Sequence, residues 1–520
     1  MNGKIKKTSV LIAIILGFTL SSYAKIDNQV LITRGWVTYK DFGAKGDGKT
    51  DDILSIQKAH KFANEHGLEV KSVDNSTYYI GGKDCVVSIR TNTDFADSKF
   101  IIDDTKVENR KKHVFSIDSD LKAINISGIT SLKKNQDKIN ISETRAGVVT
   151  VTDSTTKRYI RYGPNQNSGS YQTDIFLVDA NGEIDSQTPI IWDFDQITAM
   201  SFLPIDDSTL IITGGHFTTI ANREESKYNY YSRGFSITRS NVLIEGLEHY
   251  VIGEGDTGAP YGGFINISNC VNVAVRNTLL TGHKVYRTIG SAGTAVSMGT
   301  YDISLNRALN ISFENCKQTN DINDASYWGI MGSNYCKNIL YDNCTLSRFD
   351  AHMGVANAVI RNSSLGHQGI NAIGSGIFTV ENTMVKSRAF INLRSDYGSS
   401  WQGEFIIRNC TFFPTGVKSG SVNLINGYNS GKHDFGYECY MPEKITIENL
   451  KIEDVEHPAG YQGGAIFANF NKDMTDDTYI EEYPYIVTKS IVLKNVESAS
   501  GKPLRLSDNA YIFKGTSLVK

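Results

Sequence analysis

The sequence has little proline, little net charge and few cysteines. Its 520 residues include 9 prolines, with 46 glycines and 10% aromatic residues, a composition that excludes bulk disorder and favours many short strands joined by tight turns. The formal net charge of -3 excludes a nucleic-acid-binding protein that depends on overall positive charge. An anionic ligand would therefore have to be bound by a local cluster of basic residues.

The seven cysteines are an odd number, and their positions do not suggest a disulfide framework. Cys316, Cys344 and Cys410 each follow an asparagine in the same local context. This repetition indicates small apolar side chains in equivalent core positions. We therefore expect few or no disulfides.

The N-terminal residues have the pattern of a secretory signal peptide. Three lysines within the first seven residues precede an apolar run over 10–20, and Ser22-Tyr23-Ala24 offers small residues for cleavage. The run is shorter than the ~20 residues that cross a bilayer, which disfavours a membrane anchor. We expect residues 1–24 to be removed, and the mature protein to be secreted or periplasmic and free of the membrane.

A glycine-rich turn and a helix come next. The segment WVTYKDFGAKGDGKTDD over 36–52 predicts a strand and a turn, and apolar residues at helical spacing from Ile53 predict a helix that ends at Gly67. Such a helix would cover the open end of a stack of strands, whose unpaired edge would otherwise invite aggregation. Residues 25–95 are therefore interpreted as an N-terminal cap with the first coils.

A pattern of an apolar residue, a charged residue and an asparagine recurs eight times along the chain. The copies end at Asn277, Asn315, Asn343, Asn362, Asn382, Asn409, Asn449 and Asn495. The shortest intervals, of 19 and 20 residues, fit one coil of a three-faced solenoid with strands of about five residues. A two-sheet sandwich would instead require hairpin signals, which the repeat does not have. The sequence therefore predicts an all-β fold, a single-stranded right-handed parallel β-helix with an N-terminal capping helix and a β-rich insertion.

The repeat also divides the chain. We expect early coils over 96–240 with the insertion near 135–205, a regular β-helix over 241–500, and a C-terminal strand or cap over 501–520. An asparagine at a repeated turn can adopt a left-handed backbone and stack its amide on the next coil. The eight asparagines are therefore interpreted as an internal structural ladder without chemistry.

The segment from Lys40 to Asp52, with its helix, resembles the N-terminal cap of the pectate-lyase-like superfamily. That superfamily includes pectin-degrading hydrolases and lyases, glycosaminoglycan lyases and phage tail-spike proteins. The asparagine repeat extends the likeness over most of residues 36–500, and the region Leu346 to Tyr397 is similar to bacterial polysaccharide lyases. The acidic calcium cluster of pectate lyases and the Asn-Thr-Asp and Gly-Asp-Asp motifs of pectin hydrolases are not evident. The resemblance therefore implies the fold but carries over no catalytic residue.

Charged residues cluster where the coils are shortest. The densest groups are Ser347–His352, Gly366–Gln368 and Asn392–Tyr397. Residues two apart in a strand share a face, so Arg348, Asp350 and His352 should project together. Arg394 and Asp396 should do the same on a nearby coil.

Alignment of the coils on their asparagines extends this cluster. Arg348 and His367 each lie five residues after an asparagine, and Arg388 and His283 lie one place further along. Equivalent positions on adjacent coils are about 4.8 Å apart, so these side chains should form a basic stripe on one face. The predicted substrate-binding residues are His283, Lys284, Tyr327, Trp328, Arg388 and Trp401.

Arginines in a groove suit an acidic sugar polymer. Removal of the proton beside a uronate carboxylate is difficult because a second negative charge develops next to the first, so a lyase must neutralise that carboxylate and place a base at C5. Arg348 and Arg394 are the candidate neutralisers, and a calcium ion could serve instead. The predicted function is a secreted lyase for a uronate-containing polysaccharide, such as chondroitin sulfate or hyaluronan.

The remaining polar residues supply candidates for proton transfer. His352 and His367 are the candidate bases, because imidazole titrates near neutral pH. Tyr397 is a candidate acid or second base at the leaving oxygen. Asp350 and Asp396 would orient these groups.

Two other functions fit the same sequence. Asp350 with Asp396, or Asp302 with Asp324, could be the acid and base of a glycoside hydrolase. A β-helix that binds glycans without cleaving them is the second alternative. The residues also have structural explanations, since stacked arginine and aspartate side chains commonly balance surface charge. The oligomeric state stays open.

Overall fold

A computed structural model describes residues 28–141 and 143–520, and the fold is a single-stranded right-handed parallel β-helix. This confirms the predicted fold class. The signal peptide expected at residues 1–24 lies outside the described residues. Within the described ranges, no helix is both long and apolar enough to cross a membrane.

The N-terminal region caps the β-helix. Its elements are α1 (Asn28–Arg34), β1 (Trp36–Thr38), a 3-10 turn (Lys40–Phe42), β2 (Asp47–Asp51) and α2 (Ile53–His66). Helix α2 buries Ile53 and Ile56 against the first coils, and Gly67 ends it with a left-handed φ of 65°. The Asp52 carboxylate does not cap the helix. It accepts hydrogen bonds from the backbone N–H groups of Lys45 (2.7 Å) and Gly46 (2.9 Å) and so closes the glycine-rich turn.

The coils pair in parallel on both sides of an insertion. The coils before it contain β3 (Glu69–Lys71), β4 (Thr77–Ile80), β5 (Val87–Ile89), β6 (Thr93–Asp94), β7 (Lys99–Asp103) and β8 (Phe115–Ile117). The coils after it begin with β13 (Leu210–Thr213), β14 (His216–Ile220), β15 (Phe235–Ile237), β16 (Val242–Glu245), β17 (Glu248–Ile252), β18 (Gly262–Arg276) and β19 (Leu279–Leu280). Strand β13 pairs with both β6 and β16, so the insertion interrupts the chain but not the stack.

The middle and C-terminal coils carry longer strands. A hairpin of β20 (Arg287–Ile289) and β21 (Ala295–Ser297) is followed by β22 (Tyr301–Glu314), β23 (Lys317–Gln318), β24 (Met331–Asn334), β25 (Lys337–Asp342), β26 (Thr345–Arg361), β27 (Ser364–Glu381), β28 (Met384–Ser387) and β29 (Ala389–Leu393). The chain ends with a 3-10 turn (Ser395–Tyr397), β30 (Trp401–Pro414), a 3-10 turn (Val417–Ser419), β31 (Asn423–Asn426), β32 (Lys444–Ile452), β33 (Ala465–Phe467), β34 (Ser490–Ser498), β35 (Arg505–Ser507) and β36 (Ser517–Val519).

The insertion is an antiparallel sheet with its own small core. Its strands are β9 (Ile124–Asn125), β10 (Gly147–Arg158), β11 (Ser170–Val178) and β12 (Ala199–Pro204). The sheet begins at Ile124, before the expected boundary near 135. Apolar side chains of β10 and β11 pack on Val271 and Leu309 of the β-helix. A buried ion pair between Lys337 Nζ and Asp174 Oδ1 (2.8 Å) fixes the insertion to that surface.

The interior of the β-helix contains the apolar columns that the repeat predicts. Leu346 pairs with Leu365, which pairs with Val385, and all three side chains are buried. The seven cysteines are free and buried. Trp401 also belongs to this core, because β30 turns its ring inward, 5.3 Å from the ring of Phe378. The prediction that Trp401 binds substrate is therefore wrong.

Two columns of asparagines run along the corners of the β-helix. The eight predicted asparagines all have φ between 47° and 55°. Asn449 Nδ2 donates to Asn409 Oδ1 (2.8 Å), and Asn495 Nδ2 donates to Asn449 Oδ1 (3.0 Å). These side chains are exposed, so the ladder lies on the outer surface and not inside. A second ladder, which the sequence did not reveal, contains Asn241, Asn272, Asn310, Asn338 and Asn357.

Substitution at Asn449 should separate the contribution of the left-handed backbone conformation to stability from that of the side-chain hydrogen bonds. We expect Asn449→Ala to lower the free energy of unfolding by about 2 kcal/mol, because alanine is strained in the left-handed region and the amide hydrogen bonds are lost. Asn449→Gly loses the same amide but fits the backbone, so we expect about 1 kcal/mol. Chemical denaturation measures both values, and equal losses in the two variants would contradict the left-handed requirement.

Candidate functional site

A cleft of about 490 Å³ lies where the insertion meets the outer face of the middle coils. The β-helix, together with the hairpin β20–β21 between its coils, contributes Ser297, Gly299, Tyr301, Ser304, Trp328, Gly332, Asn334, Arg348, His352, Gln368, Asn371, Asn392, Arg394, Ser395 and Asp396. The loop 159–169 between β10 and β11 contributes Arg161 and Asn165. Tyr228 and Tyr230 come from the connection between β14 and β15. The cleft is therefore assembled from three separate parts of the chain.

Arginine and aspartate side chains alternate along the wall of the cleft. Arg161 Nη2 and Arg394 Nη2 each lie 2.7 Å from Asp396 Oδ2. Arg394 Nη1 lies 3.5 Å from Asp350 Oδ1, and Asp350 Oδ2 also pairs with Arg348. Three guanidinium groups therefore share two carboxylates, which leaves an excess of positive charge.

The pKa values of these arginine and aspartate side chains follow from their burial and from the charges of their neighbours. Burial alone would lower the pKa of Arg394, but Asp350 and Asp396 raise it above its usual value. Burial would raise the pKa of Asp396, but Arg394 and Arg161 lower it to about 2. Asp350 is fully buried, and burial raises its pKa despite Arg348 and Arg394. Asp350 thus lies beneath the cleft as a counter-charge, while Asp396 lines it.

Arg348 has donors that no described residue satisfies. Its Nε and Nη1 are buried without a hydrogen-bond partner in the described part of the chain. Its guanidinium carbon lies 5.2 Å from the ring centroid of Trp328. Gly329 leaves room for this side chain, since a Cβ there would come within 2.1 Å of Arg348 Cδ. Buried unpaired donors are costly, so these two nitrogens are available to an acceptor that enters the cleft.

His352 faces the cleft as a neutral imidazole. Its Nδ1 lies 2.7 Å from Asn334 Oδ1, an acceptor, so the proton resides on Nδ1 and the lone pair on Nε2. Burial and the charge of Arg394 lower the pKa of His352 well below 6.5. No described residue hydrogen-bonds to Nε2. This atom is therefore an unprotonated nitrogen with a free lone pair, beside three arginines.

Tyrosines form the opposite side of the cleft. Tyr228 Oη donates to Asn165 Oδ1 (3.2 Å), which links the two loops. Burial raises the pKa of Tyr230. Gly299 and Gly332 leave space for the ring of Tyr301, whose hydroxyl oxygen lies 2.5 Å from the point a Gly299 Cβ would occupy. Tyr301 thus supplies a hydroxyl group to the cleft.

The structure brings together five of the predicted site residues and separates the others. Arg348, His352, Arg394, Asp396 and Trp328 line the cleft. Alternation along β26 accounts for Arg348 and His352, whereas Arg394 and Asp396 are placed by the turn after β29. Their roles in catalysis stay predictions.

Tyr397 does not reach the cleft. Its side chain is buried behind His352, with the two ring centroids 5.4 Å apart, and it packs in an aromatic cluster with Tyr159. A 3-10 turn redirects the chain after Arg394 and turns this side chain away. The predicted role of Tyr397 at the leaving oxygen therefore does not fit, and the tyrosines that line the cleft are Tyr228, Tyr230 and Tyr301.

His367 and Arg388 do not continue the stripe of Arg348. Strand β27 bulges between Leu365 and Gly369, so that Arg348 pairs with Gly369 and not with His367. The displaced His367 ring lies 3.0 Å from the carbonyl oxygen of Ile322. His367 and Arg388 line a neighbouring hollow of about 250 Å³.

His283 lies inside the protein and not in the cleft. Its Nε2 is 3.3 Å from Asp302 Oδ1 and its Nδ1 is 3.4 Å from Glu254 Oε1. Burial would lower the pKa of His283, but these carboxylates raise it to about 9. Asp302 also accepts from His249 (2.7 Å), so it belongs to a buried ion cluster. His283 as a substrate-binding residue and Asp302 as a catalytic acid or base are therefore contradicted by burial.

The remaining predicted residues also lie outside the cleft. Lys284 and Tyr327 form an isolated antiparallel bridge and do not line it. Asp324 accepts a hydrogen bond from the backbone N–H of Ser326 (2.8 Å) in an exposed loop.

Several cleft residues were missed by the sequence analysis. Arg161 and Asn165 could not be found, because they come from the insertion, which does not follow the repeat. Asn371 could have been found from Asn392, because their amides line up when the coils are aligned on their strands. Asn334 does not belong to this column, since it pairs with Met353 and lies beside His352.

In the described ranges, no group of three or more His, Cys, Asp or Glu side chains is arranged to hold a metal ion. Among the described residues, the calcium ion that the sequence suggested therefore has no such group of side chains as a candidate site.

Comparison with known proteins adds to this picture. No family model matches the sequence. A capsule KL64-specific depolymerase of Klebsiella phage P510 is 30% identical over 127 residues, which are 22% of this chain and 12% of the relative. The match thus spans about an eighth of that relative's length.

Solved structures of phage tailspikes share the fold. Tailspike gp61 of Pseudomonas phage phi297 and tailspike gp49 of Pseudomonas phage LKA1 each have a TM-score of 0.54 and 14% sequence identity, over 93% of this chain and 84% of the tailspike. At this identity the likeness concerns the fold alone. The similarity of Leu346 to Tyr397 to polysaccharide lyases stays a prediction. The chain is thus a parallel β-helix, similar in architecture to phage tailspikes, with an arginine-rich cleft on its middle coils.

Proposed function

We propose that this protein cleaves an acidic polysaccharide by β-elimination at a uronate residue. The observation that carries this proposal is a neutral His352 with an unpaired Nε2, set beside three arginines in one cleft. The match to the capsule depolymerase supports a polysaccharide substrate. The signal pattern at residues 1–24 supports action outside the cytoplasm.

The arginines supply the neutralisation that the reaction requires. Elimination places negative charge next to the uronate carboxylate, and fixed cations in a partly buried site stabilise that charge better than water does. Arg348 presents two donors that no described residue accepts. Arg394 lies close to it through the shared Asp350. We assign the uronate carboxylate to these two arginines, with Arg161 adding positive charge.

His352 is the proposed base. Its Nε2 would take the proton from C5, the C5–H electron pair would form the double bond between C4 and C5, and the bond from C4 to the leaving oxygen would break. The leaving oxygen would receive a proton from the Tyr301 hydroxyl or from solvent. Asn334 holds the Nδ1 proton and so keeps the lone pair on Nε2.

The distribution of carboxylates favours elimination over hydrolysis. A two-carboxylate hydrolase needs both groups on opposite sides of the scissile bond. Asp396 is the one acidic side chain among the described residues that line the cleft, and it is held by two arginines. Asp350 is buried beneath the cleft.

A panel of uronate polymers tests the proposed reaction. Elimination creates an unsaturated uronate that absorbs in the ultraviolet, whereas hydrolysis does not. We expect wild-type protein to release absorbing products from at least one of chondroitin sulfate, hyaluronan, polygalacturonate or alginate, with and without chelator. Mass spectrometry should find unsaturated oligosaccharides.

Three outcomes of the panel would contradict the proposal. Saturated products with an added water would indicate a hydrolase. Binding of a polymer without any product would indicate a glycan-binding β-helix. Loss of the absorbance with chelator would mean that a metal ion, and not the arginines alone, neutralises the carboxylate.

Replacement of the base should abolish turnover while leaving the fold intact. We expect His352→Ala to lower kcat by about 10²–10⁴-fold, the usual contribution of a general base. His457→Ala is the matched control, because His457 lies in a distant loop where its Nδ1 faces the carbonyl oxygen of Pro458. Asn334→Ala should lower kcat less, since it removes the hydrogen bond that fixes the tautomer.

The pH profile gives an independent check on His352. Because its pKa is lowered well below 6.5, the imidazole stays neutral and basic in mildly acidic solution. We expect kcat/KM to be maintained below pH 6.5 and to fall when the pH drops below the lowered pKa. An acidic limb centred at or above pH 6.5 would contradict the assignment, as would wild-type turnover in His352→Ala.

A further inference from the structure

The cleft continues into a second hollow on the β-helix surface. This hollow, of about 250 Å³, shares Gln368, Asn371 and Asn392 with the cleft. Its far side is formed by His367 and Arg388. The two hollows are therefore one groove, with His352 in the first part and Arg388 in the second.

Asparagine amides make the floor of this groove polar and rigid. Asn392 Nδ2 donates to Asn371 Oδ1 (2.8 Å), and Asn426 Nδ2 donates to Asn392 Oδ1 (3.0 Å). Asn371 Nδ2 in turn donates to the carbonyl oxygen of Gln368 (2.9 Å). These amides are fixed by one another, and their remaining donor and acceptor positions suit hydroxyl groups of a sugar chain.

The charge of Arg388 is not balanced by the protein. Arg388 is exposed and makes no hydrogen bond or ion pair with any residue of the described ranges. Arginines on the asparagine corner behave differently: Arg276 pairs with Glu314 (3.0 Å), Arg361 with Asp342 and Arg408 with Glu448. Surface charge compensation, which explains those pairs, therefore does not explain Arg388.

Strand β29 sets the distance between Arg388 and Arg394. Arg388 directly precedes β29 and Arg394 directly follows it. Six steps of extended chain at 3.3 Å separate their Cα atoms by about 20 Å. The two side chains shorten the gap that a ligand has to bridge, so a ligand that contacts both guanidinium groups must extend from one hollow into the other and carry negative charge on at least two sugar residues.

We propose that Arg388, with His367 beside it, forms a second anion subsite that binds a carboxylate or sulfate group on a different sugar residue from the uronate at His352. This inference rests on the proposed function for the identity of the ligand, but not on the reaction. The substrate is then a polymer with negative charge repeated along its length. A chain with a single acidic residue would occupy the cleft and leave Arg388 unused.

Binding to intact polymers tests this subsite separately from catalysis. The His352→Ala background keeps the polymers whole, and affinity is measured for chondroitin sulfate, hyaluronan, polygalacturonate and alginate. In that background, we expect Arg388→Ala to weaken binding of the preferred polymer roughly five-fold and to reduce its salt dependence, as for loss of one exposed charge contact. Arg388→Lys should retain most of the affinity. Lys386→Ala is the matched control, because Lys386 is an exposed cation of the preceding strand that lies outside the groove.

The length of the ligand provides the second arm of the test. A disaccharide cut from the preferred polymer is shorter than the distance of about 20 Å between the two Cα atoms, so Arg388→Ala should weaken its binding less than that of the polymer. In otherwise wild-type protein, Arg388→Ala should raise KM for the polymer and leave kcat unchanged.

Several results would overturn the subsite. These are equal polymer affinity with and without Arg388, an equal loss in Lys386→Ala, a loss of disaccharide affinity as large as the loss for the polymer, or no binding of any of the four polymers. If polymers bind through Arg388 but no absorbing product forms, the subsite stands and the proposed reaction fails. If products form and Arg388→Ala behaves as wild type, the reaction stands and the subsite fails.

Discussion

The register between parallel coils is the constraint on which the rest of this structure depends. Hydrogen bonds between β26, β27 and β29 place Asp350 beside Asn371 and Asn371 beside Asn392, although these residues are far apart in the sequence. A shift by one residue would turn every side chain of a strand from the groove to the core. The apolar column of Leu346 and Leu365 prevents that shift, because its burial holds the strands in one alignment. The site is therefore positioned by the same contacts that stabilise the fold.

Gathering three arginines in one cleft is unfavourable unless carboxylates offset the charge. Asp350 does this from below, where burial keeps it away from the ligand, and Asp396 does it from the wall. Two carboxylates for three guanidinium groups leave the site positive without leaving it unstable. The third arginine comes from the insertion, so the Lys337 pair that fixes the insertion also contributes to the electrostatics of the cleft.

The sequence was sufficient to predict the features that repeat from coil to coil or follow a helical or strand pattern. The coils, the capping helix and the corner ladder follow from repeated asparagines, and the shared face of Arg348 and His352 follows from alternation along a strand. It was not sufficient where the period breaks. The bulge before Gly369 displaced His367, and a 3-10 turn redirected Tyr397. The burial of Trp401 depends on where β30 begins, which no local pattern marks, and Arg161 belongs to a segment outside the repeat.

At Arg348, a feature that destabilises the free protein is the same feature that would bind an anion. Gly329 and Trp328 hold the guanidinium where two of its donors have no partner among the described residues. Each buried donor without a partner lowers the stability of the folded protein by about 1–3 kcal/mol. Selection for stability alone would favour a smaller or apolar side chain at this position. An anionic group in the cleft would accept from both donors and recover that cost. The two Arg348 donors that are unfavourable in the free protein would thus become favourable in the complex. A cleft that favours negative charge beside a neutral imidazole agrees with the proposed elimination at a uronate residue.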